Sequence, residues 1–184
     1  LNSTGIYGTG TYEMGATLAN TSIYGLMITT LYISSATVNI DSVDINEIYA
    51  DPTNLTIAYS EVNWLYATES YIVLNNVTIY EETMFSNATV EIYDSRINSI
   101  DFMYGTDMPL NVYSDIYINN TEFNETFIIT NGNAYINNSN IEMMMVFLAN
   151  VTLNHTTVTM LMKGYGFNGT GQLINNVPSG DYVA

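Results

Sequence analysis

The chain contains no cysteine, which excludes a disulfide framework and any thiolate metal site. Basic residues are almost as scarce: Arg96 and Lys163 stand against 18 acids, for a net charge of −16. Nucleic acids and anionic lipid surfaces are gripped by lysine and arginine, so neither is expected as a partner. Charge of both signs together reaches only 11% of residues, far from the crowded acidic surface of a salt-adapted protein. No uncharged apolar run approaches the roughly 18 residues that a membrane helix needs; the run 143–149 (MMMVFLA) has seven. No direct membrane span is expected. The first residues show neither a basic n-region nor an apolar h-region, and the sequence reads as a mature or trimmed product.

What the chain does have is a repeat. Leu18, Ile40, Ile57, Leu74, Ile92, Ile118, Ile136 and Leu153 act as anchors spaced 22, 17, 17, 18, 26, 18 and 17 residues apart. The residues two before each anchor, such as Val38, Leu55 and Ile72, are apolar, and so are those five after, such as Ile45, Val62 and Ile79. Self-similarity at a period of about 17 means stacked supersecondary units. The segments are short, β-branched and aromatic, and they alternate, as strands do.

Each repeat can be walked as one coil of a solenoid. Positions −2 and 0 point inward on a first strand, because alternate side chains share a face. Positions +1 and +2 form a corner rich in Asn and Asp, which tolerate the left-handed backbone of a tight turn. Position +3 is small or β-branched (Val43, Ser60, Val77, Ser95, Thr121). Position +5 belongs to a second strand, and positions +8 and +10 to a third, where Glu82, Thr126 and Lys163 break the apolar pattern.

The pattern apolar-x-apolar-x-Asn-Ser/Thr-x-apolar, carried by 116–123 (IYINNTEF), 134–141 (AYINNSNI) and 151–158 (VTLNHTTV), resembles the right-handed parallel β-helix of the pectate-lyase-like superfamily. The resemblance covers residues 16–163. It implies an all-β fold: a single-stranded right-handed parallel β-helix, or solenoid, of about 8–10 coils with roughly 17–18 residues per coil. A left-handed hexapeptide helix is rejected, since counting sixes from Ile57 lands on Asn63 and Glu69. Three parts are expected: 1–15 as an N-terminal strand donor or partial coil, 16–163 as the β-helix, and 164–184 as a Gly-rich C-terminal cap or assembly segment. The long interval before Ile118 reads as a protruding loop near 104–111. Neither end resembles a plugging helix, and an uncapped stack invites another chain to add strands.

Eleven Asn-x-Ser/Thr sequons occur, a density that points to N-glycosylation. Asn2, Asn20, Asn54, Asn76, Asn87, Asn124, Asn150 and Asn168 are the candidate glycan sites. For Asn119, Asn137 and Asn154, at the corner, an amide ladder from coil to coil is favoured over a glycan.

Catalytic signals are thin, and the chain is expected not to be an enzyme. His155, the sole histidine, occupies a corner position filled elsewhere by Asn or Ser and reads as structural. Enzymes of the resembled superfamily use carboxylates with calcium and a basic residue on an outer strand face; here Arg96 lies beside Asp94 with no second base near it in sequence. The pairs Glu81–Glu82 and Asp41–Asp44 read as solvated outer face, and no phosphate loop or nucleophile constellation is present. No cofactor is expected beyond covalent N-glycans, and calcium at Asp41, Asp44, Glu47 and Asp51 is not supported by any known loop pattern. Tyr117 and Tyr135, each one residue before its anchor, should stack on one another.

These readings lead to a structural subunit of an extracellular glycosylated filament or surface array, partnered by itself as a homopolymer. The composition resembles archaeal surface-layer and filament glycoproteins. The alternative is a carbohydrate-active or carbohydrate-binding β-helix: a lyase, hydrolase or adhesin.

Overall fold

The computed structural model describes residues 5–6, 11–14, 20–23, 27–102, 113–147, 149–163, 173–175 and 181–183. The strands of the first half are β1 (Gly5–Ile6), β2 (Thr11–Met14), β3 (Asn20–Ile23), β4 (Ile28–Ile33), β5 (Ala36–Asp41), β6 (Asp44–Ala50), β7 (Thr53–Ala58), β8 (Glu61–Thr68), β9 (Tyr71–Asn75) and β10 (Thr78–Ser86). Those of the second half are β11 (Thr89–Tyr93), β12 (Arg96–Phe102), β13 (Ser114–Asn119), β14 (Glu122–Ile129), β15 (Gly132–Asn137), β16 (Asn140–Val146), β17 (Ala149–Asn154), β18 (Thr157–Lys163), β19 (Leu173–Asn175) and β20 (Asp181–Val183). Odd-numbered strands form one ten-stranded sheet and even-numbered strands another, each in sequence order. Every pairing is parallel, as between β5 and β7 or β6 and β8. The chain is therefore an all-β parallel solenoid of about 7 turns with about 17 residues each. That is fewer turns than the 8–10 expected.

The core lies between the two sheets. At the anchor position Ile40, Ile57, Leu74, Ile92, Ile118, Ile136 and Leu153 are at most 2% exposed, and from Ile40 to Ile136 each pairs with the anchor of the next coil. Residues at −2 and +5 complete the filling, from Val38 and Ile45 to Val151 and Val158. Burying one such side chain contributes about 1.5–3 kcal/mol relative to exposure, most of it offset by chain entropy.

The corner after the odd strands follows from its residue types. Position +2 has positive φ in every described coil from Ser42 (58°) and Tyr59 (49°) through Asn76, Asp94, Asn120 and Asn138 to His155 (47°). Its backbone N–H donates to the carbonyl of the following coil, as from Asn76 to Tyr93 (3.0 Å). Position +3 then turns a small side chain inward. The Ser95 hydroxyl donates to the Tyr93 carbonyl (2.7 Å) and accepts the Val77 N–H of the coil before (3.1 Å). Ser60 and Ser139 do the same. A buried backbone donor is thereby satisfied by a side chain.

Three expectations are corrected. The second and third strands are one continuous strand, because the chain between +5 and +8 stays extended rather than turning; each even strand from β4 to β18 carries both positions, as in β6 with Ile45 and Ile48. The anchor before Ile40 is Ile23, not Leu18: Ile23 pairs with Ile40 and, on its other side, with Ile6, so a normal 17-residue coil stands in place of the 22-residue interval. Ala16 and Leu18 lie outside the described residues. Glu82 and Thr126 do not break the apolar column; the column steps past them by one residue. Thr83 and Phe127 pair inward with Leu65 and Ile100, and both are 0% exposed. The extra residue is the bulge, and it occurs in the two 18-residue coils. Lys163 pairs with Val146, with its side chain outside the described residues, as are 1–4, the loop 104–111 and most of 164–184.

Candidate functional site

Alternation leaves three outward columns on the odd-strand sheet, at −3, −1 and +1. In the second half of the stack these columns hold amides and tyrosines. At +1, the Asn137 amide donates to Asn119 Oδ1 (2.7 Å) and the Asn154 amide to Asn137 Oδ1 (2.8 Å). At +2, Asn138 donates to Asn120 (3.1 Å) and Asn120 to Asp94 (2.6 Å). At −3, Asn150 donates to Asn133 (3.1 Å) and Asn133 to Asp115 (3.0 Å). The ladder expected for Asn119, Asn137 and Asn154 is present, and the parallel ladder at −3 includes Asn150, a residue read from the sequence as a glycan site.

At −1, Tyr117 and Tyr135 stack with ring centroids 5.3 Å apart and planes 9° from parallel, as their spacing implies. One coil earlier, Glu91 is held between two hydroxyls: Tyr71 donates to Oε1 (2.7 Å) and Tyr93 to Oε2 (2.8 Å). That bond to the carboxylate, followed by burial, pushes the Tyr71 hydroxyl up to about 12. Tyr93 is raised for the same first reason. Between the −1 and +1 columns runs a shallow groove of about 360 Å³, closed at one end by Tyr93 and floored by Ile118 and Ile136. None of its lining residues is charged.

A second groove, of about 400 Å³, follows the corner past Asn76, Asp94, Asn120 and Asn138. Arg96 borders it but pairs with Glu122 of the next coil (3.3 Å) rather than with Asp94. Both partners are more than half exposed, so the pair adds little to stability. His155 is exposed and takes the left-handed corner conformation. Asp41 accepts from the Ser42 hydroxyl, and Glu47 from Thr30. Among the described residues, no three His, Asp or Glu side chains come together in a way that could hold a metal ion.

On the even-strand sheet, Tyr32, Tyr49 and Tyr66 stack in sequence at 5.0 and 5.1 Å. Further along the same column sits Asp101, paired with Met84 on one side and Ile128 on the other. It is 3% exposed, and its Oδ1 has no hydrogen-bond partner. Burial, with the nearby Glu82 charge, pushes its carboxyl up to about 6. Neither Asp101 nor the Tyr71–Glu91–Tyr93 clasp was singled out by the sequence. The signal was present in the period: residues 17 or 18 apart in one column are neighbours in space.

Of the remaining glycan candidates, Asn54, Asn76, Asn87 and Asn124 have exposed side chains outside the amide ladders. Asn2, Asn168 and the side chain of Asn20 lie outside the described residues. No helix of the described residues is long and apolar enough to cross a membrane. The fold defines the class: a parallel β-solenoid with an amide- and tyrosine-laddered outer face. The chain matches no protein-family model, no curated protein and no solved structure.

Proposed function

We propose that this chain is a structural subunit of an extracellular, N-glycosylated filament or surface array that grows by stacking coils of successive copies. The observation that carries the reading is the self-similarity of the stack. β5 pairs with β7 through Val38–Leu55 and Ile40–Ile57, and β13 pairs with β15 through Ile116–Ala134 and Ile118–Ile136. Any coil edge is thus a template for another. In the two described sheets, β1, β2, β19 and β20 each have a single neighbour. A second copy presenting the same edge would continue both sheets at once, through parallel backbone pairing and in-register apolar columns. Glycans at exposed sequons such as Asn54, Asn87 and Asn124 would keep the sides of the rod hydrated.

Electron microscopy of purified native material tests this. Fibres or arrays with a regular axial repeat are expected, together with mass increments at exposed sequons in the same sample. Dispersed single rods at every concentration would overturn the assembly reading, and a chain of unmodified mass would overturn its glycoprotein part.

A further inference from the structure

We infer that the groove between the tyrosine and amide columns of the odd-strand sheet binds a neutral glycan lying along the rod axis. This does not rest on filament formation. Four coils line the groove, from Tyr93 to Asn154. At a strand spacing of about 4.8 Å, it has room for about three sugar rings in a row, each advancing by roughly one coil.

The chemistry of the two walls points to a polyol. A primary amide has two donors and an acceptor oxygen with two lone pairs. The ladder uses one donor and one acceptor of Asn137, so a donor and an acceptor remain, which is what a sugar hydroxyl pairs with. The opposite wall ends at Tyr135, whose neighbour in the next coil is Thr152. The aromatic stack stops there, and the outer face of the Tyr135 ring, 47% exposed as a residue, has no aromatic partner among the described residues. A pyranose ring over Thr152 would lay its C–H face on that ring while its hydroxyls reach Asn137 and Asn154.

Other occupants fit less well. An added peptide strand needs a free backbone edge, and the groove lies on the face of a sheet whose backbone is already paired. Phosphates and uronates need cations, whereas the walls hold none; Glu91 continues the tyrosine column one coil before Tyr117, and Asp115 lies in the column beside it. A wholly apolar ligand would strand the amides.

The test uses the chain produced in a host that adds no N-glycans, run in native affinity gels containing hydroxyethyl cellulose, mannan, dextran or polygalacturonate. Retardation by at least one neutral polymer and not by polygalacturonate is expected. Tyr135→Ala should weaken it about 3- to 10-fold, the scale of one aromatic contact, while Tyr32→Ala on the other sheet leaves it unchanged. Far-UV circular dichroism would check that both variants keep the solenoid. The native chain, run before and after enzymatic deglycosylation, separates the two sources of such a glycan. Retardation gained only on deglycosylation identifies the chain's own N-glycan as the occupant, and equal retardation identifies a free polysaccharide. The inference is overturned if no neutral polymer retards the bare chain, if Tyr135→Ala behaves as the unaltered chain, or if polygalacturonate retards it equally.

Discussion

A Cβ placed on Gly132 would lie 1.9 Å from the carbonyl oxygen of Ser114, the residue it pairs with in the neighbouring coil. Gly132 also has φ +141°, a conformation L side chains rarely adopt. The two constraints act together, since the backbone of one coil turns while pressed against the last. Gly132→Ala is therefore expected to destabilise the chain by about 2–5 kcal/mol, from strain plus overpacking. Thermal unfolding followed by circular dichroism would show a fall of about 5–15 °C. An unchanged midpoint would mean that the corner relaxes freely.

The position of Gly132, four residues before its anchor, forms an inward column of small residues: Ala36, Thr53, Ser70, Ala88, Ser114, Gly132 and Ala149. The sequence displays that column as plainly as the apolar ones, yet small residues scatter everywhere in a chain rich in Ser and Thr, and no contrast in hydrophobicity marks them. The anchors were legible because Ile and Leu at a fixed period stand out from polar neighbours. The two bulges were not, because an apolar or β-branched residue follows each displaced position: Thr83 after Glu82, and Phe127 after Thr126. Only the interval of 18 in place of 17 betrays them. Leu18 misled for a related reason, since Ala16, Leu18 and Ile23 reproduce the −2, 0, +5 pattern by coincidence, and only pairing with Ile40 distinguishes the true anchor. The amide ladder followed from the repeat alone. The groove beside it did not, because it depends on which side chains in adjacent columns are long and which are short.

The hydroxyls at +3 give a second test. Ser95 is buried, and its hydroxyl satisfies the Val77 N–H of the preceding coil. Ser95→Ala leaves that donor without its partner and should cost about 1–3 kcal/mol. Ser95→Thr should be tolerated, because Thr121 and Thr156 occupy the same column and make the same bond to the carbonyl two residues back. Urea unfolding midpoints would compare them. Equal losses for both variants would show that side-chain volume, not the hydroxyl, matters at +3.

Tyr59 offers the opposite sign. It sits at the corner with φ 49° and 62% exposure, so it bears left-handed strain while burying little. Tyr59→Asn puts there the residue type found in the next coil, Asn76. Asn tolerates that backbone region better, and a gain of about 0.5–1 kcal/mol is expected. Differential scanning calorimetry at fixed pH would detect it, and a loss of stability would indicate that the tyrosine packs across the corner more than its exposure implies.

Asp101 supplies the pH dependence. Its carboxyl is raised from 3.8 to about 6 in the folded chain, first by burial and then by Glu82 on β10; on β14 the paired residue is the uncharged Ile128. A raised acid binds its proton more tightly when folded than when unfolded, so its contribution is most favourable below pH 4. It is lost as pH climbs from about 4 through 6. The full shift corresponds to about 3 kcal/mol, of which roughly 2.4 kcal/mol falls between pH 4 and pH 7. Asp101→Asn keeps the shape, removes the titration and should stabilise the chain at pH 7 while changing it little at pH 4. The other acids titrate in both proteins, so the difference between the two stability curves isolates this carboxyl. Urea unfolding at half-unit steps from pH 4 to pH 7.5 should give a difference that opens steadily above pH 4 and levels off above pH 6. Parallel curves across that range would show that Asp101 is hydrated or paired in solution.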